Sequence, residues 1–303
     1  MKTNEKPLNI LYLRLVLVTL FWGGTFIAGR IAGETFDPYV TAFGRFLVAS
    51  LLLLFVLWKR EGGLVRLSRY QFFWILAGSL TGIVAYNLLF LRGLQLIEAN
   101  RASLIIALNP VVIMSAAAVF GMERMTPTRF VGILIALVGV SIVLTQGNLT
   151  TIASTIGAGE LMLAGCVLSW SAYTLIGRKL LDQMSPLAIT TYACLFGCLG
   201  LGVLASARLG TVIESGPLAL LPIFYLGIFG TVLGFVWYYD GVKEIGPTRS
   251  GIFINLVPGW AVLLSALVLG EKIGAATLLG GAVIVAGVML TNYSGRKAQE
   301  SPA

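Results

Sequence analysis

The sequence predicts an all-α membrane protein with ten transmembrane helices, arranged as two inverted five-helix repeats. First, 57% of the 303 residues are hydrophobic and only 11% are charged, whereas a soluble domain carries about 25% charged residues. Second, apolar stretches of about 20 residues, the length that crosses the hydrocarbon core of a bilayer, recur along the whole chain. Third, rare residues of the first half recur in the second half at a constant offset.

The ten apolar stretches are separated by turn and cap signals. Asp37-Pro38, Thr126-Pro127 and Ser185-Pro186 are typical of helix starts. The joints are short, so the chain has no room for a soluble domain between its spans. The predicted spans cover residues 11–31, 38–58, 70–92, 98–120, 128–146, 157–179, 186–206, 217–241, 247–269 and 273–293.

The distribution of Lys and Arg between the joints predicts the orientation, because cytoplasmic loops carry an excess of these residues. If the N-terminus is cytoplasmic, fifteen of the 21 Lys and Arg residues fall inside, five fall outside and Arg45 lies within a span. We therefore predict a multi-pass protein of the cytoplasmic (inner) membrane, with both termini in the cytoplasm.

An internal repeat becomes visible when the chain is aligned with itself at an offset of 148 residues. The matches fall on rare or conformationally special residues, whereas chance matches in an apolar chain would be mostly Leu, Val and Ala. They predict a duplication, with residues 1–147 as the first five-helix repeat and residues 148–303 as the second. The matched pairs are Trp22 and Trp170, Arg30 and Arg178, Pro38 and Pro186, Gly82 and Gly230, Pro110 and Pro258, and Glu123 and Glu271.

Five spans are an odd number, so the second copy must enter the membrane upside down relative to the first. Inverted repeats are the common architecture of secondary transporters, whose substrate sites lie near the bilayer midplane where the repeats meet.

Four segments resemble EamA-type members of the drug/metabolite transporter superfamily, and the resemblance covers nearly the whole chain. It implies two five-helix halves and the export, or less often the uptake, of small metabolites such as amino acids across the cytoplasmic membrane. The segments are WGGTFIAGR (22–30), RFLVASLLLL (45–54), NPVVIMSAAAVFGME (109–123) and VPGWAVLLSALVLGE (257–271).

Aromatic and small polar residues within the spans are candidates for the wall of a substrate cavity. Trp22 and Thr25 in the first span have the symmetry mates Trp170 and Tyr173 in the sixth. The alternative interpretation is packing in the core or at the membrane interface. Further candidate substrate-binding residues are Tyr86 and Asn87 in span three and Trp237 in span eight.

Proline occurs at matching depths in spans four and nine. Pro110 and Pro258 lack a backbone N–H and are predicted to kink their helices. Asn109 directly precedes Pro110 and Asn255 lies one turn before Pro258, where their amides could contact substrate. The alternative is a purely structural kink whose free carbonyl is satisfied by a neighbouring side chain.

Arg45 lies about two turns into span two, where a charged side chain costs a few kcal/mol. It could bind a substrate carboxylate, or it could extend to the outer surface or bond helix ends. Its mate in the second half is Ala193, so this feature is asymmetric.

Four acidic residues lie at the ends of spans. Glu160 and Asp240 could carry protons or lie at the membrane interface, and neither has an evident capping role in the sequence. Glu123 and Glu271 are expected to accept from exposed backbone N–H groups at the start of the next helix.

The sequence lacks the residues that other functional classes require. The chain has no His and no GxxxxGK[ST] motif, which leaves no usual metal or proton-relay residue and no P-loop. We predict no catalytic residue, no metal and no cofactor, and as partners a small-molecule substrate and the lipid bilayer but no nucleic acid. An intramembrane enzyme and a passive channel are disfavoured, whereas uptake or exchange on the same fold, and a monomer or a homodimer, remain open.

Overall fold

The computed structural model describes residues 8–120, 125–148, 156–181, 183–210, 216–245, 253–254 and 256–300. Every regular element within these ranges is helical. The α-helices are α1 (Leu8–Thr35), α2 (Pro38–Glu61), α3 (Arg69–Gly78), α4 (Tyr86–Leu96), α5 (Ala99–Ile106), α6 (Asn109–Val119), α7 (Pro127–Thr145), α8 (Ala158–Leu180), α9 (Pro186–Ala205), α10 (Leu221–Gly227), α11 (Gly234–Ile245), α12 (Val257–Leu269) and α13 (Ala275–Glu300).

The helix starts follow the local signals in the sequence. The Asp37 carboxylate accepts from the Tyr39 backbone N–H at 2.9 Å, with Pro38 in the first turn of α2. The Ser185 hydroxyl accepts from the Ala188 N–H at 3.0 Å in the same way at the start of α9. These caps satisfy backbone donors that a helix start leaves open.

Eight helical runs of the described residues are long and apolar enough to cross a membrane, and two shorter apolar helices, Val257–Leu269 and Ala275–Leu290, follow them. The eight agree in place with the first eight predicted spans. The first is longer than predicted, since α1 runs over Leu8–Thr35 rather than 11–31. The beginning of the ninth predicted span, residues 247–252, lies outside the described residues.

Two of the runs contain a wider, π-helical segment in their middle. Ser79–Ala85 joins α3 to α4, and Ile228–Leu233 joins α10 to α11. A π-helical turn shifts the register of the helix and is frequent at functional sites. Span four is interrupted instead, because α5 ends at Ile106 and α6 begins at Asn109, with Pro110 in its first turn.

Helix pairs from the first and second parts of the chain form the core. α7 packs along α13, α2 along α9, α1 against α12 and α4 against α8. Glycines permit the closest approach, since a Cβ on Gly139 would lie 2.6 Å from the Ile284 backbone nitrogen. Small residues have this role at membrane helix interfaces. The result is a bundle in which the two parts of the chain share one core.

Candidate functional site

Arg45 is buried in the middle of the bundle. It lies about 10 Å along α2 from its start at Pro38, at 1.5 Å per residue, well inside a hydrocarbon core about 30 Å thick. Only 6% of its surface is exposed. The guanidinium donates from Nε to Thr231 Oγ1 at 3.0 Å and from Nη1 to Asn87 Oδ1 at 2.9 Å. Of the interpretations left open for Arg45, extension to the outer surface does not agree with this burial, because neighbouring helices supply acceptors inside the bundle.

The two partners of Arg45 are held by the two π-helical segments. Asn87 follows Ser79–Ala85 and donates from Nδ2 to the Ile83 carbonyl at 2.8 Å. Thr231 lies within Ile228–Leu233 and donates from Oγ1 to the Leu226 carbonyl at 2.9 Å. Each side chain thus satisfies a backbone carbonyl near its π-helical segment and presents an oxygen to the guanidinium. Arg45 links the two segments.

Arg45 forms no ion pair with a carboxylate of the described residues. Burying an uncompensated charge is expensive, and hydrogen bonds to a charged group contribute about 1.5–3 kcal/mol each. A guanidinium has five N–H donors, of which the bonds to Asn87 and Thr231 use two. Three donors therefore have no bond to a described protein group, and they suit an anionic or carbonyl-bearing ligand.

Aromatic side chains surround the same level of the bundle. Trp22 on α1 and Trp170 on α8 both contact Phe235, at centroid distances of 6.2 and 6.0 Å. Trp170 also contacts Tyr86 and Tyr173, each at 5.4 Å. The predicted residues Trp22, Tyr86, Trp170 and Tyr173 thus lie in one aromatic group, and Phe235 joins its two ends.

Glycines of the π-helical segments make room for this group. A Cβ on Gly82 would lie 2.3 Å from Tyr173 Cγ, and a Cβ on Gly230 would lie 2.7 Å from Thr25 Cγ2. Trp22 Nε1 donates to the Gly230 carbonyl at 3.1 Å. These close contacts place the predicted residue Thr25 beside the second π-helical segment.

A small cavity lies between the break before α6 and the start of α12. Asn109 and Pro110 at the start of α6, with Val257 and Pro258 at the start of α12, line a cavity of about 40 Å³ that α13 closes. Asn109 Oδ1 is inaccessible to solvent and has no hydrogen-bond partner. The predicted residues Asn109, Pro110 and Pro258 are therefore brought together. Asn255 lies outside the described residues.

Trp237 lies apart from the aromatic group. Its ring is 5.9 Å from that of Phe21, and the Arg14 guanidinium carbon lies 5.7 Å from the Trp237 centroid. The next residue, Tyr238, contacts Trp22 instead, at 5.3 Å. Successive residues of a helix point in different directions. One turn of α11 therefore contacts the aromatic group through Tyr238 and Phe21 through Trp237.

The acidic residues have structural partners. Glu160 Oε2 accepts from the Gly157 N–H at 2.9 Å, and Oε1 lies 2.8 Å from Arg101 Nη2. Glu160 therefore has the capping role that the sequence did not reveal. Asp240 lies 3.9 Å from Arg14 and 3.6 Å from Arg60, a half-exposed arrangement that contributes little to stability.

Glu271 bonds a helix start, but not that of the next helix as expected. Its two carboxylate oxygens accept from the backbone N–H groups of Ala99 and Asn100 at 2.8 and 3.0 Å, so it caps α5. It also lines a polar depression of about 390 Å³ together with Arg30, Glu34 and Glu98. Glu123 lies outside the described residues.

Two members of the site were not predicted: Thr231 and Phe235. The 148-residue offset relates Phe235 to the predicted residue Asn87, so the repeat carried a signal for it. Thr231 had no such signal, because its mate is the apolar Ile83. Within the described part of the chain, no cluster of three or more metal-ligating side chains occurs.

Comparisons with known proteins agree with this architecture. The chain is 31% identical over 294 residues to the uncharacterized transporter YyaM of Bacillus subtilis (strain 168), covering 94% of this chain and 93% of the relative. It is 29% identical over 278 residues to a protein of Streptantibioticus cattleyicolor named a probable terminal-alkyne amino-acid exporter, covering 92% of each.

A protein of known crystal structure superposes on 95% of this chain and 99% of its own length, with a TM-score of 0.69 at 19% identity. This likeness concerns the fold alone. The model of the EamA-like transporter family matches twice, over residues 9–145 and 157–293. The chain is a multi-pass membrane protein, and it belongs to the EamA-like transporter family.

Proposed function

We propose that this chain is a secondary active transporter that exports small metabolites such as amino acids. Transport proceeds by alternating access around a midplane cavity between two inverted five-helix repeats, residues 1–147 and 148–303. The observation that carries this proposal is the buried Arg45, bonded to Asn87 and Thr231 on two different π-helical segments. The Arg45 guanidinium lies between the two parts of the chain and has N–H donors that are not used by Asn87 and Thr231. Such a buried charge is suited to binding a solute within the membrane.

Contacts that recur at the 148-residue offset support the inverted repeat. Gly82 packs against Tyr173, and Gly230 packs against Thr25, so each glycine of one part contacts the other part at the corresponding place. The π-helical segments Ser79–Ala85 and Ile228–Leu233 also correspond. Each repeat then has five spans, and both termini lie on the cytoplasmic side of the inner membrane.

The side chains of the site favour an amphipathic or zwitterionic solute. Arg45 would bind a carboxylate with its remaining donors, since guanidinium and carboxylate match in bidentate geometry. The aromatic group of Trp22, Tyr86, Trp170 and Tyr173 would contact the apolar part of the same molecule. The name of the Streptantibioticus relative points to the same class of substrate.

The proposal is tested in proteoliposomes that contain the purified chain. Internal and external solutions carry a panel of radiolabelled amino acids, amines and nucleosides, with and without an imposed pH gradient. We expect amino-acid flux above that of empty vesicles, a large loss in Arg45→Met, and little change in the exposed Arg92→Met, whose guanidinium bonds Gln95. Flux that is unaffected by Arg45→Met would refute the role of Arg45.

The direction of transport is tested in a second experiment. Inside-out and right-side-out membrane vesicles from expressing cells separate export from uptake, because only the inside-out vesicles accumulate an exported substrate. Accumulation by right-side-out vesicles would establish an uptake permease on the same fold. Counterflow without net accumulation under any gradient would establish an exchanger.

A further inference from the structure

Two glutamates of the second part of the chain bond three consecutive residues of the first part. The Glu271 carboxylate accepts from the backbone N–H groups of Ala99 and Asn100 at 2.8 and 3.0 Å. The Glu160 carboxylate lies 2.8 Å from the Arg101 guanidinium. Glu271 directly follows the end of α12, and Glu160 lies in the first turn of α8. Two separate elements of the second part therefore hold the first turn of α5.

The joint between α4 and α5 is attached to α1 by bonds within the first part of the chain. Arg30 of α1 donates from Nη1 to the Leu94 carbonyl at 2.6 Å and also to the Ile97 carbonyl, where α4 ends. Gln95 Nε2 donates to the Gly33 carbonyl of α1 at 3.0 Å. The joint and the end of α1 therefore form one unit, which the two glutamates connect to the second part.

These contacts lie beside the polar depression at one end of the bundle. Arg30, Glu34 and Glu98 line the depression from the first part of the chain, and Glu271 lines it from the second. The end of α1 at Thr35 is next to Glu34, so the depression faces the outside when the N-terminus is cytoplasmic, as proposed above. Alternating access requires the two parts to separate at this outer end whenever a solute leaves the cell.

Burial strengthens the two glutamate contacts. The backbone donors that Glu271 bonds belong to Ala99 and Asn100, which are at most 2% exposed, and Glu160 is 7% exposed. Hydrogen bonds to a charged group are about twice as strong as neutral ones, and buried pairs are poorly screened by salt. By comparison, Asp37 and Arg208 at the same end are 3.6 Å apart and well exposed, an arrangement that contributes little.

We propose that Glu160 and Glu271 form the outer gate of the transport path. They hold the first turn of α5 against the second part of the chain, and they release it each time the outer end opens. This inference rests on the proposed function, because a gate has a role only where the two ends open in turn. Glu271 already lines the open depression, so water there replaces the N–H groups that its carboxylate releases.

Opening is measured without transport, through the labelling of Cys166. This buried thiol lies on α8, about 9 Å inward from Glu160 at 1.5 Å per residue, and it bonds the Tyr86 carbonyl of the first part. Cys194 and Cys198 are replaced by alanine, which leaves one thiol in the chain. A membrane-impermeant methanethiosulfonate reagent is added to right-side-out or inside-out vesicles, and the labelled protein is quantified by mass after purification.

The labelling rate from the outside reports the fraction of molecules whose outer end is open. We expect Glu271→Ala to raise this rate at least tenfold, which corresponds to about 1.4 kcal/mol. Glu271→Gln keeps one acceptor oxygen and should raise it less. Glu160→Gln should raise the rate as well, because an amide still accepts from the Gly157 N–H but carries no charge to pair with Arg101.

The matched control is Glu98→Gln. Glu98 lines the same depression and directly precedes Ala99, but its side chain makes no capping bond to α5. The substitution removes the same charge as Glu271→Gln, and we expect the labelling rate of the parent protein. Inside-out vesicles provide the second control, because a general loosening of the fold would expose Cys166 from both sides of the membrane.

The outcomes separate the gate from a merely structural role. Faster labelling from the outside alone, in both Glu271→Ala and Glu160→Gln, would support the gate. Unchanged outside labelling in Glu271→Ala would overturn it, and so would an equal increase from both sides or an increase of the same size in Glu98→Gln. Absence of amino-acid flux in proteoliposomes, with the labelling pattern as expected, would refute only the proposed function.

Discussion

The strongest test of the hydrogen bonds of Arg45 to Asn87 and Thr231 is to delete one acceptor side chain while the arginine and its charge are kept. Asn87→Leu keeps the volume of the side chain but deletes the 2.9 Å bond from the guanidinium. A hydrogen bond to a charged group contributes about 1.5–3 kcal/mol. The substitution also deletes the 2.8 Å bond from Asn87 to the Ile83 carbonyl, which contributes about 1 kcal/mol. We expect the free energy of unfolding to fall by about 2.5–4 kcal/mol.

Arg45→Met removes the charge and both of its bonds. It leaves Asn87 Oδ1 buried without its donor, at a cost of about 1–3 kcal/mol. At the same time it removes the cost of keeping a guanidinium in a water-poor interior. In the double variant Arg45→Met with Asn87→Leu neither group remains to be left unpaired. We therefore expect the double variant to be more stable than the sum of the single effects, by about 2 kcal/mol.

The measurement is reversible unfolding in mixed micelles, followed by Trp fluorescence, for the wild type, both single variants and the double variant. Arg92 and Gln95 form a matched control, because Arg92 Nη1 also donates to an amide oxygen at 2.9 Å but at an exposed position. Its coupling should be about 0–0.5 kcal/mol. If the effects at Arg45 and Asn87 add within about 0.5 kcal/mol, the bond is energetically unimportant and the reasoning from burial is refuted.

Three further predictions follow from single contacts. Gly82→Ala places a Cβ 2.3 Å from the Tyr173 ring and should destabilise the protein by about 1–3 kcal/mol, whereas Gly78→Ala, with its nearest neighbour at 3.5 Å, should be tolerated in the same unfolding assay. Glu271→Ala should cost about 1–2 kcal/mol through loss of the cap on α5, with partial recovery in Glu271→Gln, which keeps one acceptor oxygen; equal losses would contradict the capping role. Trp22→Phe should cost about 1 kcal/mol through loss of its indole bond, and an unchanged thermal midpoint would contradict it.

Much of the fold could be predicted because the bilayer imposes a simple rule on the sequence. Each crossing needs about 20 apolar residues with all backbone groups paired inside the helix, and the cap signals at Pro38 and Pro186 mark where crossings begin. The break at Pro110 could be predicted for the same local reason. The extension of α1 to Thr35 could not, because the polar residues near its end have no periodic signal.

The partners of the site residues were less predictable, because the two π-helical segments change the helix register. A period of 3.6 residues places side chains correctly only along a regular helix. In Ser79–Ala85 and Ile228–Leu233 the backbone is wider, so the faces of Asn87 and Thr231 cannot be extrapolated from the preceding turns. The sequence indicated that Arg45 needed a partner, but it could not indicate which helix would supply it.

Long-range capping was hidden for a different reason. Glu271 lies just before α13, and local reasoning assigned it to that helix start. In the fold its carboxylate reaches the N–H groups of Ala99 and Asn100 on α5, because α12 and α5 pack against each other. A carboxylate between two helix starts bonds whichever start leaves its donors open, and that choice depends on tertiary packing rather than on sequence distance.

The asymmetry of Arg45 has a physical explanation that follows from these contacts. Its mate Ala193 is 1% exposed, and the Ala193 carbonyl accepts from Ser79 Oγ at 3.0 Å. A second arginine there would bring a like charge into the same water-poor core, where repulsion is poorly screened. One guanidinium bonded to Asn87 and Thr231 already links both π-helical segments. A single arginine between the two parts of the chain is therefore sufficient to contact both segments. The two parts differ in sequence at this position for that reason.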